Sequence, residues 1–212
     1  MKTRFFLFAG LAIMLFTCRN LQAQIKYGIH TGLNLETQAE MGQLWNNKEI
    51  YQGFLIGGFL EYPVGNKISL QTELNYQKKG EKYNNSATGI KTITRRDFNY
   101  LSIPLLVKGT FGKDLGLGNK WDVTGFTGPY YGYLTSADSD IKIGDTTKDV
   151  DIDNQVEKND WGFVFGGGVS YNLTNGGAIV TELRYEMGLG KIDKQNPDLR
   201  NKVIGLSIGY RF

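Results

Sequence analysis

Apolar and polar residues alternate with a period of two in eight separate runs along the chain: "IKYGIHTGLN", "GFLIGGFLEY", "ISLQTELNYQ", "NYLSIPLLVKGTF", "WDVTGFTGPYYGY", "WGFVFGGGVSYN", "AIVTELRYEMGL" and "GLSIGYRF". Successive side chains of a strand point to opposite faces, so each run predicts a strand with one apolar and one polar or small face. The third run is the sharpest. It sets Ile68, Leu70, Thr72, Leu74 and Tyr76 against Ser69, Gln71, Glu73, Asn75 and Gln77. Pro104 sits awkwardly in the fourth run, because proline has no N–H to give to a ladder and is an edge or bulge residue.

The connections alternate in length. Long segments at Leu35 to Ile50, "KGEKYNNSATGIKTITRRD", Thr135 to Asp160 and "GKIDKQNPDLRN" are interleaved with the shorter "PVGNK", "GKDLGLGNK" and "TNGG". Long and short connections therefore fall on opposite ends of the sheet, as in outer-membrane barrels. The expected fold is all-β, an eight-stranded antiparallel transmembrane up-and-down β-barrel.

A soluble barrel would carry its apolar face inside. The glycines on the polar face, Gly28, Gly32, Gly57, Gly166, Gly168, Gly205 and Gly209, favour the opposite sense, since they make room in a narrow lumen. Aromatic residues also collect at two levels, as the two interfaces of a membrane require. Tyr27, Tyr62, Trp121, Tyr171, Tyr210 and Phe212 lie toward the short turns; Phe54, Tyr76, Tyr131, Tyr133, Trp161 and Tyr185 lie toward the long loops.

With that polarity the lumen receives Lys26, Glu61, Glu73, Lys108, Asp122, Glu182, Arg184, Glu186 and Arg211. Unpaired buried charge is very costly, so these side chains are expected to pair with one another. Eight strands leave only enough width for side chains to fill. The expectation is a plugged barrel, without enzymatic activity, cofactor or resident metal, acting structurally or by binding through its loops.

Three features bear on chemistry. His30, the single histidine, falls on the inward face of the first run and reads as a lumen residue; a lipid-modifying enzyme would need it beside a nucleophile and open to lipid. Asp149, Asp151, Asp153 and Asp160 have spacings resembling a calcium loop, but Asn154 stands at the turn glycine and Asp160 in place of the closing glutamate, so a solvated acidic loop is the better reading. The run Lys78 to Lys82, "KKGEK", reads as a solvated strand end that could meet lipopolysaccharide phosphates.

At the N-terminus Lys2 and Arg4 precede an apolar run from Phe5 to Phe16, too short to span a bilayer as a helix but suited to a secretory signal cleaved after Ala23. Thr17 before Cys18 argues against a lipoprotein signal. Residues 1–23 are thus expected to be a signal peptide and 24–212 the barrel domain. Removing Lys2, Arg4 and Arg19 from the 24 basic residues leaves 21 against 21 acidic ones, and no cysteine. A neutral chain with interspersed charge offers nothing to nucleic acid. Expected partners are outer-membrane lipid and lipopolysaccharide and the barrel-assembly machinery, which would read Tyr210 and Phe212 as an assembly signal. A monomer is expected.

The blocks "GFLIGGFLEYPVGNKISLQTELNYQKKG", "FNYLSIPLLVKGTFG", "GFTGPYYGYL", "WGFVFGGGVSYNL" and "ELRYEMGLGKI" resemble the PorT-family outer-membrane β-barrel domain common in Bacteroidetes. The resemblance implies a barrel in the cell outer membrane. It also implies structural roles for Glu73, Tyr100, Pro104, Lys108, Gly128, Arg184 and Tyr185 in the interior and strand crossings, and it carries no catalytic motif. Because the name-giving member serves protein secretion, a partner in a secretion apparatus is the alternative expectation. A lipid-modifying enzyme or a soluble lipid-binding barrel comes third.

Overall fold

The computed structural model describes residues 25–40, 50–85, 92–112, 115–143, 146–174, 176–194 and 198–212. The signal segment 1–23 lies outside these described residues. Among the described residues nine strands follow in order: β1 (Lys26–Glu40), β2 (Tyr51–Pro63), β3 (Ile68–Asn85), β4 (Thr92–Thr110), β5 (Trp121–Ile143), β6 (Thr146–Asp151), β7 (Asn159–Asn172), β8 (Ala178–Gly188) and β9 (Leu199–Arg211). A short 3-10 turn, Asp153–Gln155, precedes β7.

Eight of the strands form a closed antiparallel barrel. Neighbours in the chain pair from β1 to β5, β5 then pairs with β7, and β1 pairs with β9 to close the ring. The sixth strand stands apart, pairing with the upper part of β5 through Asp138 to Ile143. Segments that the alternation reads as connections are strand. The third and fourth strands stay paired from Lys78↔Asn99 up to Asn85↔Thr92, and β5 runs on to Ile143.

The barrel is inside-out relative to a soluble one. Leu33 is 70% and Ile29 61% exposed on the outer wall, whereas Glu73 and Arg184 are each 2% exposed within. Outward-facing positions continue around the wall as Ile56 and Leu60 on β2, Leu101, Ile103, Leu105 and Val107 on β4, and Ile204, Leu206 and Ile208 on β9. Tyr27 to Leu35 covers about 26 Å of strand at roughly 3.3 Å per residue. A tilt of about 40° reduces that to a band roughly 20 Å tall, the scale of an outer-membrane belt. Aromatic contacts mark its margins. Tyr27 stacks on Phe212 and Trp121 meets Tyr171 edge-on at the short-turn end, while Phe54 lies 6.0 Å from Tyr76 toward the long loops.

Two irregularities shape the wall. Pro104 is buried mid-strand, in a gap where pairing of β3 with β4 passes from Thr72↔Leu105 to Asn75↔Ser102. Beside it, β4 approaches β5 so closely that a Cβ at Gly128 would lie 1.9 Å from the Leu105 carbonyl oxygen; only glycine fits. Higher up, the register shifts so that Asn99 faces Ser136 and Tyr100 faces Leu134, leaving Thr135 as an extra residue. This bulge inverts the parity of β5: Leu134 points inward, and above it Ala137 and Ser139 do.

Candidate functional site

Side chains converge in the lumen, where each strand contributes alternate residues. In the middle layer β8 reaches across to β3. Arg184 donates from Nη1 to Glu73 Oε2 at 2.8 Å and from Nη2 to Glu73 Oε1 at 3.2 Å, and Nη2 also donates to Glu182 Oε2 at 3.0 Å. On β4, Lys108 donates to Glu182 Oε1 at 2.9 Å and to Gln71 Oε1 at 3.2 Å, with Glu61 3.8 Å away. Amides complete the shell of Glu73: Gln71 Nε2 and Asn75 Nδ2 donate to its two oxygens at 2.8 and 2.7 Å. Those neighbours offset the cost of burying Glu73 and Glu182, while Arg184 Nε and Glu61 Oε2 have no hydrogen-bond partner among the described residues.

His30 is buried in this layer. Its Nε2 lies 2.7 Å from Asn75 Oδ1, a carbonyl oxygen that can only accept, so Nε2 carries the proton. Ligand atoms of His30, Glu73 and Glu182 come within 4.8 Å of one another, a spacing a metal ion could use. Arg184 and Lys108 already supply positive charge to both carboxylates there, which makes the cluster a poor cation trap.

A second layer lies nearer the long loops. Lys79 Nζ is 3.2 Å from both Asp160 Oδ2 and Glu186 Oε2 and sits over the rings of Tyr100 and Tyr130. Asp160 Oδ2 also accepts from Tyr130 OH and Asn201 Nδ2. Gln77 joins this layer by donating to Ser102 Oγ at 3.1 Å and Glu186 Oε2 at 3.4 Å. Above it an apolar cluster of Phe98, Tyr100, Leu134, Ala137, Ile152, Val156 and Ile192 draws in residues from β4, β5 and two loops.

Of the nine charged residues assigned to the lumen from sequence, Glu61, Glu73, Lys108, Glu182, Arg184 and Glu186 are buried in these layers. Lys26, Asp122 and Arg211 are half-exposed at the short-turn rim. There Arg211 Nη2 donates to Asn172 Oδ1 and Asn172 Nδ2 to Asp122 Oδ2, beside a cavity of about 560 Å³ that Lys26 and Asp122 also line. Sequence reasoning missed Glu36, Lys79 and Asp160. All three fall in segments that the alternation reads as connections, although "QKKGEK" continues the parity of β3 and places Lys79 inward.

The four aspartates do not share one loop. Asp149 and Asp151 belong to β6, with side chains outside the described residues; Asp153 sits on the 3-10 turn and accepts from the Ala137 N–H; Asp160 lies on β7 inside the barrel. The lysines of "KKGEK" also part company. Lys78 pairs with Asp97 on the outer wall, Lys79 is in the lumen, and Lys82 lies on an outer groove.

Beyond the aromatic margin, the start of β2 is pinned to β4. Tyr51 OH donates to Asp97 Oδ1 at 2.7 Å, and Arg95 donates to the same oxygen at 2.9 Å with its guanidinium over the Tyr51 ring. Burial alone would raise the Asp97 carboxyl, but hydrogen bonds from Lys78, Tyr51 and Arg95 outweigh it and hold it below the usual carboxylate range. Burial pushes the Tyr51 hydroxyl up, so it stays a donor.

Among solved structures, Neisserial surface protein A is similar at 14% identity, with a TM-score of 0.49, over 87% of this chain and 95% of that one. OprG of Pseudomonas aeruginosa is similar at 13% identity, TM-score 0.46, over 90% and 97% of the two chains. Ail of Yersinia pestis is similar at 14% identity, TM-score 0.43, over 89% and 99%. No curated protein sequence matches the chain significantly. Residues 19–194 match the family described as the outer membrane protein beta-barrel domain. With its closed eight-stranded barrel, apolar outer wall and polar lumen, the chain belongs to that outer-membrane β-barrel family.

Proposed function

We propose that this protein is a non-enzymatic barrel with a closed lumen that works through what it presents beyond the membrane, as a structural or loop-mediated binding protein. One observation carries the reading: buried ion pairs cross the lumen from wall to wall in two layers, Arg184 to Glu73 and Lys79 to Asp160, beneath an apolar cluster. An open pore would need those side chains to yield together. Recording from purified protein in planar bilayers tests this; baseline current is expected, and a large, stable, reproducible conductance would refute it.

The setting of His30 supports the non-enzymatic part. It is buried, with its Nε2 directed to Asn75 and its ring 5.7 Å from Phe59. Lipid A mass spectra of a His30→Ala strain are expected to equal wild type. We also take residues 1–23 as a cleaved signal peptide, which N-terminal sequencing of the membrane form checks. The blocks resembling the PorT family favour one second reading, a component of a secretion apparatus. Reproducible co-purification of an export partner from native outer membranes would support it over a stand-alone monomer.

A further inference from the structure

On the outer wall, above the level of Tyr76, Leu101 and Tyr133, the extended strands form a groove of about 600 Å³. Its lining includes Lys82 of β3, Arg95 of β4, Lys142 of β5 and the start of β2 at Tyr51. These strands are in register, with Lys82↔Arg95 and Arg95↔Asp140 paired across the sheet, so the side chains share one face. Lys82, Arg95 and Lys142 share this lining with Asp140, and Asp97 pairs with Arg95 beside it, so three cations stand against two carboxylates among the described residues. Arg95 is held in place by Tyr51 and Asp97.

We infer that this groove binds the phosphate groups of a membrane-anchored phosphorylated saccharide, the headgroup of a glycolipid standing beside the barrel. Lysine ammonium and arginine guanidinium groups form charge-assisted hydrogen bonds to phosphate, and guanidinium can do so with two N–H groups at once. The face and height select a lipid-borne source. Lys82 and Arg95 keep the strand parity of the outward-facing Tyr76 and Leu101, which places them on the outer face of the sheet and not in the lumen. Arg95 lies six residues beyond Leu101, about 20 Å along the strand and roughly 15 Å in height at a 40° tilt. That is the level of headgroup saccharide, above the acyl chains. A ligand anchored in the same membrane also arrives at a high effective concentration.

The full chain, folded in detergent, is tested for retention of three probes: a phosphorylated rough-type lipopolysaccharide, the same material after enzymatic dephosphorylation, and millimolar inorganic phosphate as competitor. The variant Lys82→Gln/Lys142→Gln spares Arg95, which braces β2, and its heat-modifiable mobility reports that the barrel has formed. Wild type is expected to hold the phosphorylated glycolipid about tenfold more tightly than the dephosphorylated one, and the variant to lose that preference. Equal retention of the two glycolipids, or an unchanged preference in the folded variant, would overturn the assignment. Displacement by millimolar phosphate would overturn the lipid-borne source. Channel recording bears on lumen closure alone, so the two readings fail separately.

Discussion

Arg184 holds both carboxylate oxygens of Glu73 across the barrel, at 2.8 and 3.2 Å, with both side chains almost wholly buried. The two residues stand 111 positions apart in sequence, on β8 and β3, which do not neighbour one another in the sheet. Their contact therefore braces opposite walls.

Removing one partner leaves a buried charge short of compensation. Glu73→Ala is expected to destabilise the barrel by about 3–5 kcal/mol, whereas Glu73→Leu combined with Arg184→Leu should cost clearly less than the sum of the two single changes. Urea unfolding in lipid vesicles, followed by tryptophan fluorescence, measures this. Additive losses would mean that the pair is not coupled.

Asp97 gives stability a pH dependence beyond the membrane. Its carboxyl is held below the ordinary value near 3.8, so its contribution is fully present above that value and is lost as pH falls through the lower, folded value. Between pH 5 and pH 2 the wild type is expected to lose more stability than Asp97→Asn. Parallel urea midpoints for the two proteins across that range would contradict it.

Gly128 admits no side chain, because a Cβ there would strike the Leu105 carbonyl oxygen. Gly128→Val is expected to cost at least about 1–3 kcal/mol, through a forced separation of β4 from β5. Gly125→Val, at a position with open space around its Cβ, serves as control and should be nearly neutral. Heat-modifiable mobility of both variants provides the comparison.

Phe212 closes the seam between first and last strands. Its N–H donates to the Tyr27 carbonyl at 2.8 Å, its ring stacks on Tyr27 at 5.1 Å, and Tyr210 meets it edge-on. Aromatic pairs of this kind add about 0.5–1.5 kcal/mol beyond burial. Deleting Phe212 is expected to lower the fraction of folded, heat-modifiable barrel in the outer membrane, with Phe212→Tyr close to wild type. Normal assembly of the deletion would show the contact to be dispensable.

Strand geometry is local, and for that reason the sequence alone determined a great deal. Side chains alternate at every residue, so parity by itself separates Leu70, Leu74 and Tyr76 from Gln71, Glu73 and Asn75, and glycine and aromatic positions then tell which face meets lipid. What parity cannot carry across is a bulge. Thr135 interrupts the alternation of β5, so "LTSADSDIKI" lost its strand signal although it continues the sheet. The ends of β3 and β4 are likewise hidden, since polar and charged residues occupy both parities of "QKKGEKYNN" and "TITRRD" and little hydrophobic contrast remains. Pairing across the lumen lay further out of reach. That Arg184 meets Glu73, and that Asp160 turns inward to Lys79, depends on register and on closure of β1 against β9, which bring residues far apart in the chain within hydrogen-bond distance. Only the closed tertiary structure sets those distances.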